Sequence, residues 1–200
     1  MEPDRLRASI SADVAGLSRT VQTGEVDTSS APEKSRAIGR AEIGVAAAAS
    51  AIGDALDFLE SATAAEASVD WLLELNRLAR GEASAGPALR DFGVAQYSYL
   101  EPRQIESELA DFVTRLRAYD SSADAEGVWD RMFDIHWSVN LRGHYFFDAC
   151  GRTATILAGW ISGRALGRVL PLPRRDDYLS VASAAIPIDR WRELRARNDR

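Results

Sequence analysis

His144-Tyr145-Phe146-Phe147-Asp148-Ala149-Cys150-Gly151-Arg152-Thr153-Ala154-Thr155 sets an imidazole, a carboxylate, a turn of small residues and a guanidinium directly ahead of an apolar run. In that run Ile156, Leu157, Trp160 and Ile161 recur at helical spacing. The spacing predicts a helix over residues 154–166, with Ala149, Cys150 and Gly151 at or just before its amino end. Backbone N–H groups at such an end have no partner inside the helix, and the helix dipole adds partial positive charge. A turn of small residues lets an anion come close to those amides. Arg152, on the first turn, adds a charged fork for phosphate oxygens. Asp148 offers a hard oxygen ligand to Mg2+. His144 is suited to take a proton from a hydroxyl near neutral pH. Together these are the parts of a phosphoryl- or nucleotidyl-transfer site, where catalysis is mostly positioning and charge stabilisation. Each part also has a plainer reading. An Asp before a helix is commonly its N-cap, an Arg in a first turn is commonly solvated, and a lone His near a helix start is commonly structural. The joint spacing is what favours the site.

The stretch resembles the motif of the Fic/Doc family, His-Pro-Phe-x-Asp/Glu-Gly-Asn-Gly-Arg-x-x-Arg. It matches at His144, Phe146, Asp148, Gly151 and Arg152, and residues 148–154 also resemble the Doc-type run Asp-Ala-Asn-Lys-Arg-Thr-Ala. The resemblance implies roles for each position. His144 is the general base for an acceptor hydroxyl, and Asp148 holds Mg2+. Ala149, Cys150 and Gly151 form the anion hole with Arg152, which binds the donor's phosphates. Phe146 packs into the core. It further implies a nucleotide donor, ATP or another donor carrying a diphosphate, and an acceptor that is a protein side-chain hydroxyl or a small molecule. Nucleotidyl transfer (AMPylation) is the usual family chemistry; a phosphoryl or other phosphate-linked group is the alternative.

Four positions depart from the pattern. Tyr145 stands for Pro, Ala149 for the first Gly, Cys150 for Asn and Thr155 for the second Arg. A thiol is a weak hydrogen-bond donor, and the second Arg grips a terminal phosphate in the family. These changes motivate a second reading, a catalytically altered binding or regulatory module of the same fold. A third reading uses Cys150 itself. At a helix amino end beside Arg152 its thiol pKa would fall, giving a nucleophile for a small-molecule tailoring enzyme.

Outward from the motif, the pattern is helical. Leu72, Leu75, Leu78 and Ala79 mark an amphipathic helix over 71–80; Ile105, Leu109, Phe112 and Leu116 mark the next, opened by Pro102. Val128, Met132, Ile135 and Val139 mark another, with His136 beside its stripe, and residues 41–60 read as one long helix. Residues 81–86 read as a loop. The runs 89–94 and 96–99 flank Ala95 as two short extended segments, similar to the family's flap, which aligns a target segment by strand-like pairing. Near the amino end Ser29 and Glu33 match the family's inhibitory Ser/Thr-x-x-x-Glu-Gly/Asn motif, although Lys34 does not. A plain helix start at Ser29 or Ser30 explains them equally. After Pro171 and Pro173, two closing helices are predicted over 174–184 and 188–197. The expected fold is mainly α, a Fic-type helical bundle with a short β-hairpin flap. The expected divisions are an N-terminal helical region (1–65), a Fic-like core (66–185) and a C-terminal helix (186–200).

Composition bounds the function. The 200 residues suffice for one domain with a sizeable core. The 24 basic and 30 acidic side chains give a net charge of −6, which disfavours nucleic acid or an anionic membrane as partner. One Cys and two His leave no disulfide framework and too few ligands for a conventional zinc site. No signal-peptide layout and no apolar span of about 20 residues is present. A cytoplasmic location is the expectation, with a homo-oligomer left open.

Overall fold

The computed structural model describes residues 7–12, 14, 45–81, 86–93, 99–120 and 123–198. Ser29 and Glu33, the inhibitory-motif residues, lie outside them. The longer helices are α1 (Val45–Glu60), α2 (Val69–Arg80), α3 (Ile105–Arg117), α4 (Ala125–His136), α5 (Cys150–Leu166), α6 (Arg175–Ala182) and α7 (Pro187–Asn198). Residues 7–12 are also helical. A π-helical turn, Trp137–Leu141, follows α4 without a break.

Local chemistry sets the helix ends. Ser68 Oγ accepts from Trp71 N–H at 3.1 Å and caps α2. Asp124 Oδ1 accepts from Gly127 N–H at 2.8 Å and caps α4. Pro102 opens a short 3-10 turn, Pro102–Gln104, ahead of α3. The amphipathic stripes then meet around α5. Leu72 and Leu75 of α2, Leu109, Phe112 and Leu116 of α3, and Val128, Met132 and Ile135 of α4 are all buried. Burying each such side chain contributes about 1.5–3 kcal/mol. Helix α5 is the centre: every residue from Thr153 to Gly163 is buried. Its small residues permit close approach, and a Cβ at Gly159 would stand 2.6 Å from Ile10 Cγ1. Among the described residues no helix is long and apolar enough to cross a membrane.

Helix α7 closes the bundle over α4. Trp129 Nε1–H donates to the Trp191 carbonyl at 3.0 Å, and Trp191 Nε1–H donates to the Trp129 carbonyl at 2.9 Å. The two indoles stack at 4.8 Å, so both polar edges are satisfied inside the core.

His136 sits beneath this pair. It is fully buried, with Nδ1 3.0 Å from Tyr178 Oη. The Tyr178 hydroxyl also receives an N–H from Asn140 Nδ2 at 2.8 Å. Nε2 has no hydrogen-bond partner among the described residues. Burial pulls the imidazole pKa from 6.5 down to about 3. The folded state therefore holds the ring neutral, whereas the unfolded chain protonates first. Stability from His136 is complete above pH 6.5 and is lost as the pH falls toward about 3. The expected slope is about 1.4 kcal/mol per pH unit inside that window. Urea titrations at stepped pH measure it. His136→Phe should flatten the slope, and an unchanged slope in that variant would show that other groups set it.

The expected hairpin is not seen among the described residues, which cover its first run to residue 93. Leu89 pairs antiparallel with Phe146 as an isolated bridge. Arg90 N–H donates to the Tyr145 carbonyl at 2.9 Å, and Phe147 N–H to the Ala88 carbonyl at 3.3 Å. The first extended run thus pairs with the 144–147 stretch. Among the described residues no strand forms, and residues 94–98, most of the second run, lie outside them.

Candidate active site

The stretch that leads into α5 is shaped from both sides. The π turn ends where Arg142 and Gly143 N–H groups both donate to the Trp137 carbonyl, at 2.8 and 3.1 Å. At Gly143 a Cβ would stand 1.7 Å from the Ser138 carbonyl oxygen, so no other residue permits this reversal. The next residue, His144, takes φ 46°, a left-handed conformation unusual outside glycine. Tyr145 and Phe146, at 1% and 0% exposure, then anchor the segment in the core.

Arg90 fixes this loop. Its guanidinium is 2% exposed and donates to three carbonyls: His144 from Nε at 2.9 Å, Leu100 from Nη2 at 2.5 Å, and Phe92 from Nη1. Burial pushes its pKa down, with weaker opposing effects from its surroundings. The guanidinium also lies 5.7 Å from the Tyr99 ring centroid. Tyr99 in turn stacks on the His144 imidazole at 4.2 Å with 7° between planes.

His144 Nδ1 lies 3.0 Å from the Asn140 carbonyl oxygen. A carbonyl only accepts, so Nδ1 carries the hydrogen and the neutral ring keeps its lone pair on Nε2. That is the state a general base needs.

At the start of α5 the first helical hydrogen bond runs from Thr153 N–H to the Ala149 carbonyl, at 2.8 Å. The amides of Gly151 and Arg152 come before it and are not used by the helix. Ala149, at φ 61°, makes the left-handed entry. Asp148 Oδ1 accepts from Ala149 N–H at 2.6 Å, and Oδ2 lies 3.6 Å from Arg152 Nη2. Asp148 is thus not the N-cap of its plainer reading, since Ala149 holds that position without a side-chain cap, and the carboxylate keeps a second oxygen beside Arg152. Burial pulls the Arg152 pKa down and Asp148 opposes the shift. Arg152 Nη1 also reaches the Arg80 carbonyl at 3.5 Å. Asn76, 1% exposed on α2, braces the turn: Nδ2 donates to the Asp148 carbonyl and to Thr153 Oγ1, each at 3.0 Å.

The two departures inside α5 point into the fold. Cys150 is buried, and its Sγ donates to the Phe146 carbonyl at 3.3 Å. A carbonyl partner favours the protonated thiol, which argues against the thiolate nucleophile. Thr155 Oγ1 donates to the Gly151 carbonyl at 2.9 Å and is buried. A side chain spent on its own helix does not grip a phosphate.

The fold thus brings Asp148, Ala149, Gly151 and Arg152 together at one helix end. His144 joins them through Asn140, whose carbonyl holds the imidazole and whose side chain lies against Gly151. Three positioning residues were missed by sequence reasoning. Asn76 left a trace, a polar residue on an otherwise apolar stripe. Arg90 and Asn140 left none.

These features define a mainly helical domain whose central helix opens from a histidine-led turn with unused amides. A family model described as Fic/DOC family matches residues 66–162, a span from just before α2 into α5. The chain therefore carries a Fic/DOC-family domain. No curated protein and no solved structure matches it.

Proposed function

We propose that this protein is a Fic-type transferase, moving a nucleotidyl or other phosphate-linked group from a nucleotide donor to a hydroxyl. One observation carries the reading. The tautomer set at His144 leaves Nε2 as a base, in the same loop that presents the unused amides of Gly151 and Arg152. In this reading His144 Nε2 accepts the proton of the attacking hydroxyl. The amides of Gly151 and Arg152 stabilise the charge that develops on the transferring phosphate, and the Arg152 guanidinium binds the donor's outer oxygens. The segment around Leu89–Phe146 and Tyr99 borders the acceptor side, where the flap of the family lies.

Magnesium is compatible with the residues present. Among the described residues no group of three or more His, Cys, Asp or Glu side chains is placed to hold a metal. Asp148 would be the one protein carboxylate, with phosphate oxygens and water completing the set, a pattern Mg2+ accepts. When bound, the ion would neutralise phosphate charge.

Incubation of the full chain with Mg2+ and a panel of labelled nucleotides tests the reading. Label should pass to the chain itself, to lysate proteins or to a small hydroxyl compound. Calorimetry with the same panel separates a second reading, a binding module, favoured by the inward-turned Cys150 and Thr155. Partner binding that persists without any nucleotide, with no transfer, would support that module.

Gly151→Ala sharpens the test. A Cβ there meets nothing nearer than Asn140 Oδ1 at 3.7 Å, an ordinary contact. The backbone is helical, so Ala should stabilise the fold by about 0.5 kcal/mol. The methyl would nevertheless crowd an anion at the amides, and donor affinity should fall about tenfold, since one lost charge-assisted hydrogen bond is of that order. A raised melting temperature with unchanged donor affinity would remove the anion from this helix end.

A further inference from the structure

Asn140 belongs to no part of the family pattern quoted above, yet it touches both halves of the site. Its carbonyl holds His144 Nδ1, and its side chain lies against the open end of α5. The π turn puts it there. A wide turn delays every later side chain relative to an α-helix, so Asn140 faces the loop.

The amide is held in a fixed orientation. Asn140 Nδ2 donates one hydrogen to Tyr178 Oη at 2.8 Å. Tyr178, 2% exposed, is in turn hydrogen-bonded to His136 Nδ1, with its Oη at 3.0 Å. His136 is buried, and its aromatic neighbours are Tyr178 and Trp191. Asn140, Tyr178 and His136 thus form one buried polar chain.

The amide lies flat against Gly151. Oδ1, Nδ2 and Cγ stand 3.7, 3.8 and 3.9 Å from the point where a Gly151 Cβ would be. The second Nδ2 hydrogen has no partner among the described residues. It is a neutral N–H donor beside Gly151, at the amide end of α5. A neutral amide adds a directed hydrogen bond to an oxyanion without adding charge.

We infer that Asn140 contacts the donor directly, its clamped amide donating to a phosphate oxygen of the diphosphate held over Gly151. The inference rests on the transferase reading above and extends it to a residue outside the motif. Asn140 thereby ties donor binding to the base, since the same residue holds His144.

Inorganic pyrophosphate with Mg2+ is the probe, titrated by calorimetry into the full chain. Wild type and Arg152→Ala test the underlying reading: wild type should bind, and Arg152→Ala should weaken it at least about tenfold. Asn140→Ala should weaken binding about tenfold and Asn140→Asp about a hundredfold, because Asp keeps the shape but repels the anion. A merely structural Asn140 gives the reverse order, since Asp is the better isostere. Asn140→Ala binding like wild type, or Asp binding no worse than Ala, overturns the inference while the reading stands. No binding by wild type removes both. Should the Asn140 variants fail to fold, Tyr178→Phe keeps the core shape and releases the clamp. It should weaken pyrophosphate about threefold by loosening the amide, and unchanged affinity would equally overturn the inference.

Discussion

Replacing His144 with Ala should abolish group transfer, lowering turnover by about 10²–10⁴-fold, while donor affinity changes by no more than about twofold. The split follows from where the parts sit. The unused amides belong to Gly151 and Arg152, and the guanidinium to Arg152, none of which is held by the imidazole. The base is held separately, by the Asn140 carbonyl on Nδ1 and the Tyr99 ring on its face. Removing the ring therefore removes the proton acceptor and leaves the anion site. Steady-state kinetics with labelled donor, alongside calorimetry, reads both quantities. His144→Gln is an informative companion, because its amide keeps a similar reach but is not basic at neutral pH. Activity that survives in His144→Ala would sink the assigned chemistry, whatever the variant's affinity.

A second large effect is expected at Arg90. Its buried guanidinium serves three carbonyls from three separate points of the chain, at His144, Phe92 and Leu100. Arg90→Ala leaves those acceptors without their charged donor and opens a cavity beneath Tyr99. We expect a loss of about 3–5 kcal/mol in a urea titration, from several buried hydrogen bonds at about 1–3 kcal/mol each. Transfer should fail in proportion, since the left-handed turn at His144 depends on this clamp. Arg90→Lys should rescue little. An ammonium is a compact point charge and does not reproduce a planar fork that donates in three directions. Wild-type stability and turnover in Arg90→Lys would show that charge alone suffices.

The apolar stripes at Leu72, Leu75, Leu109, Phe112, Val128 and Met132 made most of the helices legible, because periodicity reports which face is buried. The gathering of Asp148, Ala149, Gly151 and Arg152 was legible for a related reason: local spacing around one helix start fixes their distances. Helix α5 began four residues earlier than its apolar pattern, at Cys150 instead of 154, because its first turn carries polar and small residues. Long-range partners were hidden. Alternation over residues 89–94 gives a strand two faces but does not say which chain it pairs with, and the partner at Phe146 is a tertiary fact. Asn140 was hidden by the π turn, since a reading at 3.6 residues per turn misplaces every side chain beyond the insertion. Arg90 carried no signal, because nothing nearby in sequence announces three waiting carbonyls.

The matched span stops at residue 162, yet Tyr178 and Trp191 lie beyond it and are sunk into the same interior. Cutting the chain at that border would strip the indole cover from Trp129 and the hydroxyl tether from Asn140. What is recognisable as a family module is thus smaller than the unit that packs together, and the turn at His144 leans on material that arrives after the signature has ended.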